Sequence, residues 1–131
     1  MSFVKKAKDF IDDQGSLTDH KYAKHMIETV RFLTKHAVGL ENATSTNSII
    51  NHLKEVGLPI QRSEWEIHIL GTLRDHGIFI GSHRNKGMYI INSEAEAKKV
   101  YLGYKRRIFK EMDRMELLRA IMINEGWDTK I

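Results

Sequence analysis

The chain has no cysteine, which excludes disulfides, thiolate metal sites and cysteine nucleophiles together and suits a reduced compartment. Proline occurs once, at Pro59, and the polar stretches are short, so helix-forming sequence dominates and disorder is expected only at the ends. No apolar run approaches the roughly 20 residues that span a bilayer. The start, MSFVKKAKDF, runs into FIDDQG rather than an apolar signal core. Those absences predict a mature cytoplasmic chain with no membrane partner. Charge of one sign is scarce too. The net charge is +4, with seven basic and six acidic side chains in residues 1–43, five and four in 44–92, and nine and seven in 93–131. A basic balance of that size permits a polyanionic partner without demanding one.

What is present fits one ordinary domain: 131 residues, 41% hydrophobic and 29% charged, with no internal repeat. Residues 3–12 predict a short helix, stopped by Asp12-Asp13-Gln14-Gly15. Thr18 is expected to cap a longer helix that carries Tyr22, Met26, Ile27, Val30, Phe32 and Leu33 and ends at Gly39. A third helix follows Thr44-Ser45-Thr46-Asn47, carries Ile49, Ile50, Leu53 and Val56, and closes at Gly57-Leu58-Pro59. Ser63-Glu64-Trp65-Glu66 reads as a capping box opening a fourth helix, whose apolar stripe is Trp65, Ile69, Leu70 and Leu73 and whose end is marked by Gly77. Ile78-Phe79-Ile80 and Met88-Tyr89-Ile90-Ile91 predict two strands joined by a basic loop over 81–87. Ser93-Glu94-Ala95-Glu96 repeats the capping-box pattern and opens a long helix reaching about Asn124.

Helix, helix, short turn, helix, hairpin between residues 18 and 92 is the order of a winged helix-turn-helix. The expected class is therefore mainly α with a small β-hairpin and a long C-terminal helix. Its parts would be an N-terminal helix or arm over 1–17, a winged-helix domain over 18–92 and an oligomerisation or packing element over 93–131. The mechanical logic is that the major groove of a duplex admits one α-helix, while a neighbouring hairpin reaches backbone or minor groove. On that logic residues 63–76 are the presented helix, and Gln61, Arg62, Ser63, Glu64, Ile67, His68 and Thr72 are candidate DNA contacts. His83, Arg84, Asn85 and Lys86 at the hairpin tip are the candidate phosphate contacts.

The stretch HLKEVGLPI, then LRDHGIFIGS, then KGMYIINSEAEAKKVYLGYKRRI resembles small winged-helix proteins of phages and mobile elements of Gram-positive bacteria. In that group an "LR-x-x-G-x-x-I-x-S … KGYY" run precedes an acidic helix start and a long helix. The resemblance covers roughly residues 44–110 and implies a DNA-associated module in transcription or replication. Met88 stands where these proteins usually carry an aromatic residue.

Tyr101, Tyr104, Ile108, Met115, Leu118 and Met122 fall at alternating steps of three and four if Glu111 occupies one seam position, a heptad-like stripe that predicts a homodimer. The Lys105-Arg106-Arg107 run, with acidic Glu94, Glu96, Glu111 and Asp113 near it, reads as a solvated helix face. One feature weighs toward a protein partner instead. Projected with Ile69 and Leu73 inward, the presented helix turns Glu64, Ile67, His68, Gly71 and Asp75 outward, and that face is not basic. The seven histidines show neither the i, i+4 pairing nor the carboxylate companion of a zinc motif, so no metal or other cofactor is expected. Trp65 is expected in the core. No nucleophile with a base, no paired carboxylates in a glycine-framed pocket and no phosphate-cradling loop can be recognised, which favours a binding module over an enzyme.

Overall fold

The computed structural model describes residues 2–13 and 20–130. They are mainly helical, with one small two-stranded antiparallel sheet and a long C-terminal helix. Two compact units divide at Ala97 and Lys98.

In the first unit, α1 (Phe3–Asp12) begins where the Ser2 hydroxyl accepts the Lys5 N–H at 3.0 Å, which satisfies one donor of the open first turn. It is built into the core through fully buried Ala7, with Val4, Phe10 and Ile11 packed alongside. The expected cap at Thr18 lies outside the described residues. Helix α2 (Ala23–His36) starts five positions after it, behind a turn in which the Ala23 N–H donates to the His20 carbonyl and the Tyr22 N–H to His20 Nδ1. It also ends before Gly39, because the chain leaves the helix at Ala37 to pair with the sheet. Gly39, at φ 85°, leads instead into a tight turn over Leu40–Asn42.

Helix α3 (Thr46–Glu55) is capped by the Ser45 hydroxyl, which takes the Ser48 N–H at 3.1 Å. It closes as the sequence predicts. With Gly57 left-handed at φ 82°, the Leu58 N–H returns to the Leu53 carbonyl at 2.8 Å and the Gly57 N–H to that of Lys54 at 3.1 Å. Gly77 repeats this motif below the next helix, through Ile78 to Leu73 and Gly77 to Arg74.

That next helix, α4, is the continuous run Arg62–Glu64, Trp65–Leu70 and Gly71–Asp75. Its middle is wound more widely than an α-helix, so that the Gly71 N–H reaches the Glu66 carbonyl five residues back. Ser63 does not cap it. Gln61 has the extended backbone of a cap residue (φ −80°, ψ 153°), and its carbonyl accepts the Trp65 N–H at 2.9 Å, so the helix starts earlier and Ser63 lies inside the first turn. Glu64 takes the third helical position, where the acidic half of a capping box sits, and the Gln61 backbone helps to keep its carboxyl below the ordinary range.

Trp65 is the largest of the fully buried side chains and shares the core cluster with Met26, Val30, Leu33, Ile49, Leu53, Ile69 and Leu73. Its indole N–H donates to the hydroxyl of fully buried Thr29 at 3.2 Å, joining α4 to α2. Leaving that donor unpaired would cost about 1–3 kcal/mol.

The strands lie closer together along the chain than expected, β1 being shifted later and β2 beginning one residue earlier. Strand β1 (Ile80–His83) pairs with β2 (Gly87–Ile90) in the register Ile80 with Ile90 and His83 with Gly87. Ile78 and Phe79 therefore precede the strand, Ile91 follows it, and the connecting loop is Arg84-Asn85-Lys86 rather than 81–87. Ile78 is buried because it serves the helix end, where its N–H is spent on Leu73.

Strand β2 is paired on both edges. Away from β1, Ile90 donates to the Ala37 carbonyl and accepts from Gly39, both at 2.8 Å. Met88 exchanges two bonds with Thr44, at 2.6 and 2.9 Å. The segment 37–44 thus covers the outer edge of β2 through two isolated bridges, a parallel one at Val38 and an antiparallel one at Thr44. Gly87 permits this approach, since at φ 102° a Cβ there would lie 2.1 Å from the Thr44 carbonyl oxygen.

Helix α5 (Glu94–Asn124) opens on the predicted box. The Ser93 hydroxyl accepts the Glu96 N–H at 3.1 Å, and the Glu96 carboxylate takes the Asn92 N–H at 2.8 Å and the Leu40 N–H at 3.0 Å. It ends on Gly126, with Trp127 donating to Met122.

Candidate nucleic-acid interface

Helix α4 buries Trp65, Ile69, Leu70 and Leu73, so the other side of the helix is left to solvent. Gln61, Arg62, Ser63, Glu66, Ile67 and His68 are exposed, while Glu64 and Thr72 are partly covered. Of the outward face predicted from the helical wheel, Ile67, His68 and Asp75 are exposed and Glu64 and Gly71 partly covered, and Glu66 adds to it.

The two carboxylates at the start of this face are each engaged locally. Glu66 takes the Arg62 guanidinium at 3.1 Å, an exposed i, i+4 pair of the kind worth well under about 1 kcal/mol and easily exchanged. Glu64 accepts the Tyr22 phenol at 2.6 Å. That hydrogen bond, helped by the Gln61 backbone and the Lys21 and His68 charges, outweighs burial and holds the Glu64 carboxyl below its ordinary range. The same bond is the main reason the Tyr22 phenol is pushed up, with burial and the Glu64 charge adding to it. His68 stacks on the Tyr22 ring at 5.1 Å with 14° between planes, and Lys21 lies 5.3 Å from the ring centroid. Sequence patterning singled out Glu64 and His68 but missed Tyr22. Its link to Glu64 spans 42 positions, and no local signal marks it.

The hairpin tip is held from within. His83 ends β1 instead of lying in the loop, and its Nδ1 accepts the backbone N–H groups of Asn85 at 3.1 Å and Lys86 at 3.2 Å. An imidazole nitrogen can do so only while it carries no proton. The Arg84, Asn85 and Lys86 side chains are exposed. Tyr89 lies buried across Gly81, where a Cβ would fall 2.3 Å from its ring. Burial, then the Glu96 charge, raises its phenol. Arg74, also absent from the predicted site, positions the hairpin against α4: its Nε and Nη2 both donate to the Ile80 carbonyl, at 3.2 and 2.7 Å.

Comparison with protein-family profiles, curated proteins and solved structures gives no match. Among the described residues no three His, Asp or Glu side chains converge in a way that could hold a metal ion, and no helix is long and apolar enough to cross a membrane.

The second unit, Lys98–Ile131, contains most of α5, a helix in which no residue is buried. Of the predicted seam, Tyr101, Ile108, Met115 and Leu118 are more than half exposed, and Tyr104 and Met122 partly covered. Leu117, Ile121, Ile123 and Trp127 add further exposed apolar surface.

Proposed function

We propose that this chain is a DNA-binding winged-helix protein acting as a dimer. In this reading α3 supports α4, α4 enters the major groove, and the hairpin is the wing. One observation carries it. The β1–β2 hairpin directly follows α3 and α4, is bonded along its other edge to the 37–44 segment, and offers Arg84 and Lys86 on a tip braced by His83. Arg74 fixes this wing to the end of the helix it must accompany. The Arg62 guanidinium offsets the Glu66 charge, whereas Glu64, kept ionised by the Tyr22 phenol, retains its negative charge and is used here only as an acceptor from a base edge. Pairing of two copies along Tyr101, Tyr104, Ile108, Met115, Leu118 and Met122 would present two heads to inversely repeated half-sites. The phage or mobile-element setting, and a role in transcription or replication, rest on the resemblance of residues 44–110 alone.

The test is fluorescence anisotropy on mixed genomic duplexes across a salt series. Binding at low salt should weaken steeply as salt rises, and Arg84→Ala with Lys86→Ala should lower the slope by roughly 0.9 for each phosphate no longer neutralised. Salt-independent binding, or none, refutes the reading.

A second reading has its own observation. Ile67 is 68% exposed in the middle of the presented face, flanked by Glu66 and His68. A protein-interaction module that docks a partner there, without DNA, uses Ile67 as its anchor. Such a module shows no steep salt response to duplex.

A further inference from the structure

The six Lys and Arg residues between 98 and 110, with no Asp or Glu among them, are the longest run of one sign in the chain. Their surroundings divide them. Lys105 lies 5.7 Å from the Phe109 ring centroid, the Arg107 guanidinium 4.6 Å from that of Tyr104, and Lys98 has a partner of its own. Lys99, Arg106 and Lys110 are exposed and have no hydrogen-bond, ion-pair or ring partner among the described residues. Further along the same helix, by contrast, Arg114 pairs with Glu111 and Arg119 with Glu116.

The three unpaired cations share a face. Each stands two positions from a seam residue, Lys99 from Tyr101 and Arg106 and Lys110 from Ile108, and so about 160° round the helix from it. Covering the seam with a second copy would leave them outside. At 1.5 Å per residue they span about 16 Å of helix, against one phosphate per roughly 3.4 Å along a DNA strand. The angle also separates two polyanions. A helix lying on a membrane buries its apolar face and needs its cations beside that face at headgroup level. Cations directly behind it would point away from the lipid.

We propose that Lys99, Arg106 and Lys110 form a phosphate-contacting ribbon on the back of α5, so that the helix which joins two copies also grips duplex DNA. The inference rests on the dimeric DNA-binding reading above and adds a second contact surface to it. An unpaired, exposed row of cations releases condensed counterions when it meets phosphates, and pairing with Asp or Glu would forfeit that gain.

The experiment uses the full chain in a salt series on one duplex. It compares the parental protein with Lys99→Gln/Arg106→Gln/Lys110→Gln, with the charge-keeping Lys99→Arg/Arg106→Lys/Lys110→Arg, and with the wing variant Arg84→Ala/Lys86→Ala. Sedimentation follows the oligomeric state of each. Neutralising the ribbon should lower the salt slope by about 2.7 per bound chain, so that a fourfold rise in salt weakens the parental protein about 40-fold more than the variant. The charge-keeping variant should retain the parental slope, and all should sediment alike. A slope unchanged by the ribbon variant but lowered by the wing variant overturns the ribbon and leaves the DNA reading standing. A slope change that accompanies a change of oligomeric state, or that the charge-keeping variant shares, also overturns it. Failure of the parental protein to bind any duplex at low salt overturns both, whereas binding to phosphatidylserine vesicles that the ribbon variant loses, with the duplex salt slope unchanged, overturns the ribbon alone.

Discussion

Gly87→Ala is the substitution that most sharply probes how the hairpin is rooted. Gly87 sits at φ 102°, and an added Cβ would fall 2.1 Å from the Thr44 carbonyl oxygen and 2.6 Å from its carbon, both backbone atoms. Two costs arise. A left-handed backbone disfavours alanine by about 1–2 kcal/mol. The clash then has to push the 37–44 segment off β2, straining the Met88 and Thr44 bonds at 2.6 and 2.9 Å, each worth about 1 kcal/mol net. Together they predict a loss of about 3–4 kcal/mol. Gly57→Ala supplies the control, because Gly57 has φ 82° and nothing within 4 Å of its would-be Cβ, so only the backbone cost of about 1–2 kcal/mol applies. Urea denaturation followed by far-ultraviolet circular dichroism should separate the two variants by about 2 kcal/mol. Equal losses would mean that the close approach of Thr44 to Gly87 is not part of the folded protein.

Thr29→Val should cost about 1–3 kcal/mol by stranding the Trp65 indole N–H, and pairing it with Trp65→Phe should cost less than the sum of the single changes, as a double-mutant cycle in denaturant would show. Tyr22→Phe should flatten the acid limb of the stability curve. Glu64 is held below its ordinary range mainly by the Tyr22 phenol, so its contribution is present above the normal carboxylate range and fades as pH falls through the lowered value; thermal melts from neutral to acid pH would reveal the change. The raised Tyr22 phenol works from the other side: its contribution persists below the ordinary phenol range and is lost as pH rises through the raised value. Glu96→Ala should destabilise by roughly 1 kcal/mol in the same melts, because the carboxylate satisfies both the Asn92 and Leu40 N–H groups.

The parts of this fold that are legible in sequence are those with short-range causes. Gly57, Gly77 and Gly126 end helices because only glycine enters the left-handed region without cost, and Ser93 with Glu96 opens one through contacts three and four residues apart. Ser63 misleads for an instructive reason: Gln61 already has cap geometry through its backbone, so a serine two positions later becomes an ordinary first-turn residue. The pairing of 37–44 with β2 is invisible to patterning because only Val38 and Thr44 bridge to it, with a tight turn between them and no alternation to detect. Of the candidate interface, the exposed face of α4 and the Arg84 to Lys86 tip follow from periodicity and turn chemistry. Its internal supports, Tyr22 on Glu64 and Arg74 on Ile80, do not, since they depend on tertiary placement.

The central claim is that α4 and the hairpin tip meet duplex DNA, and backbone amide chemical shifts recorded while a duplex is titrated at low salt test it most directly. Shifts concentrated at 61–72 and 84–86 and reversed by added salt are predicted. A duplex that leaves those amides unmoved, or moves only residues elsewhere in the first unit, would contradict it.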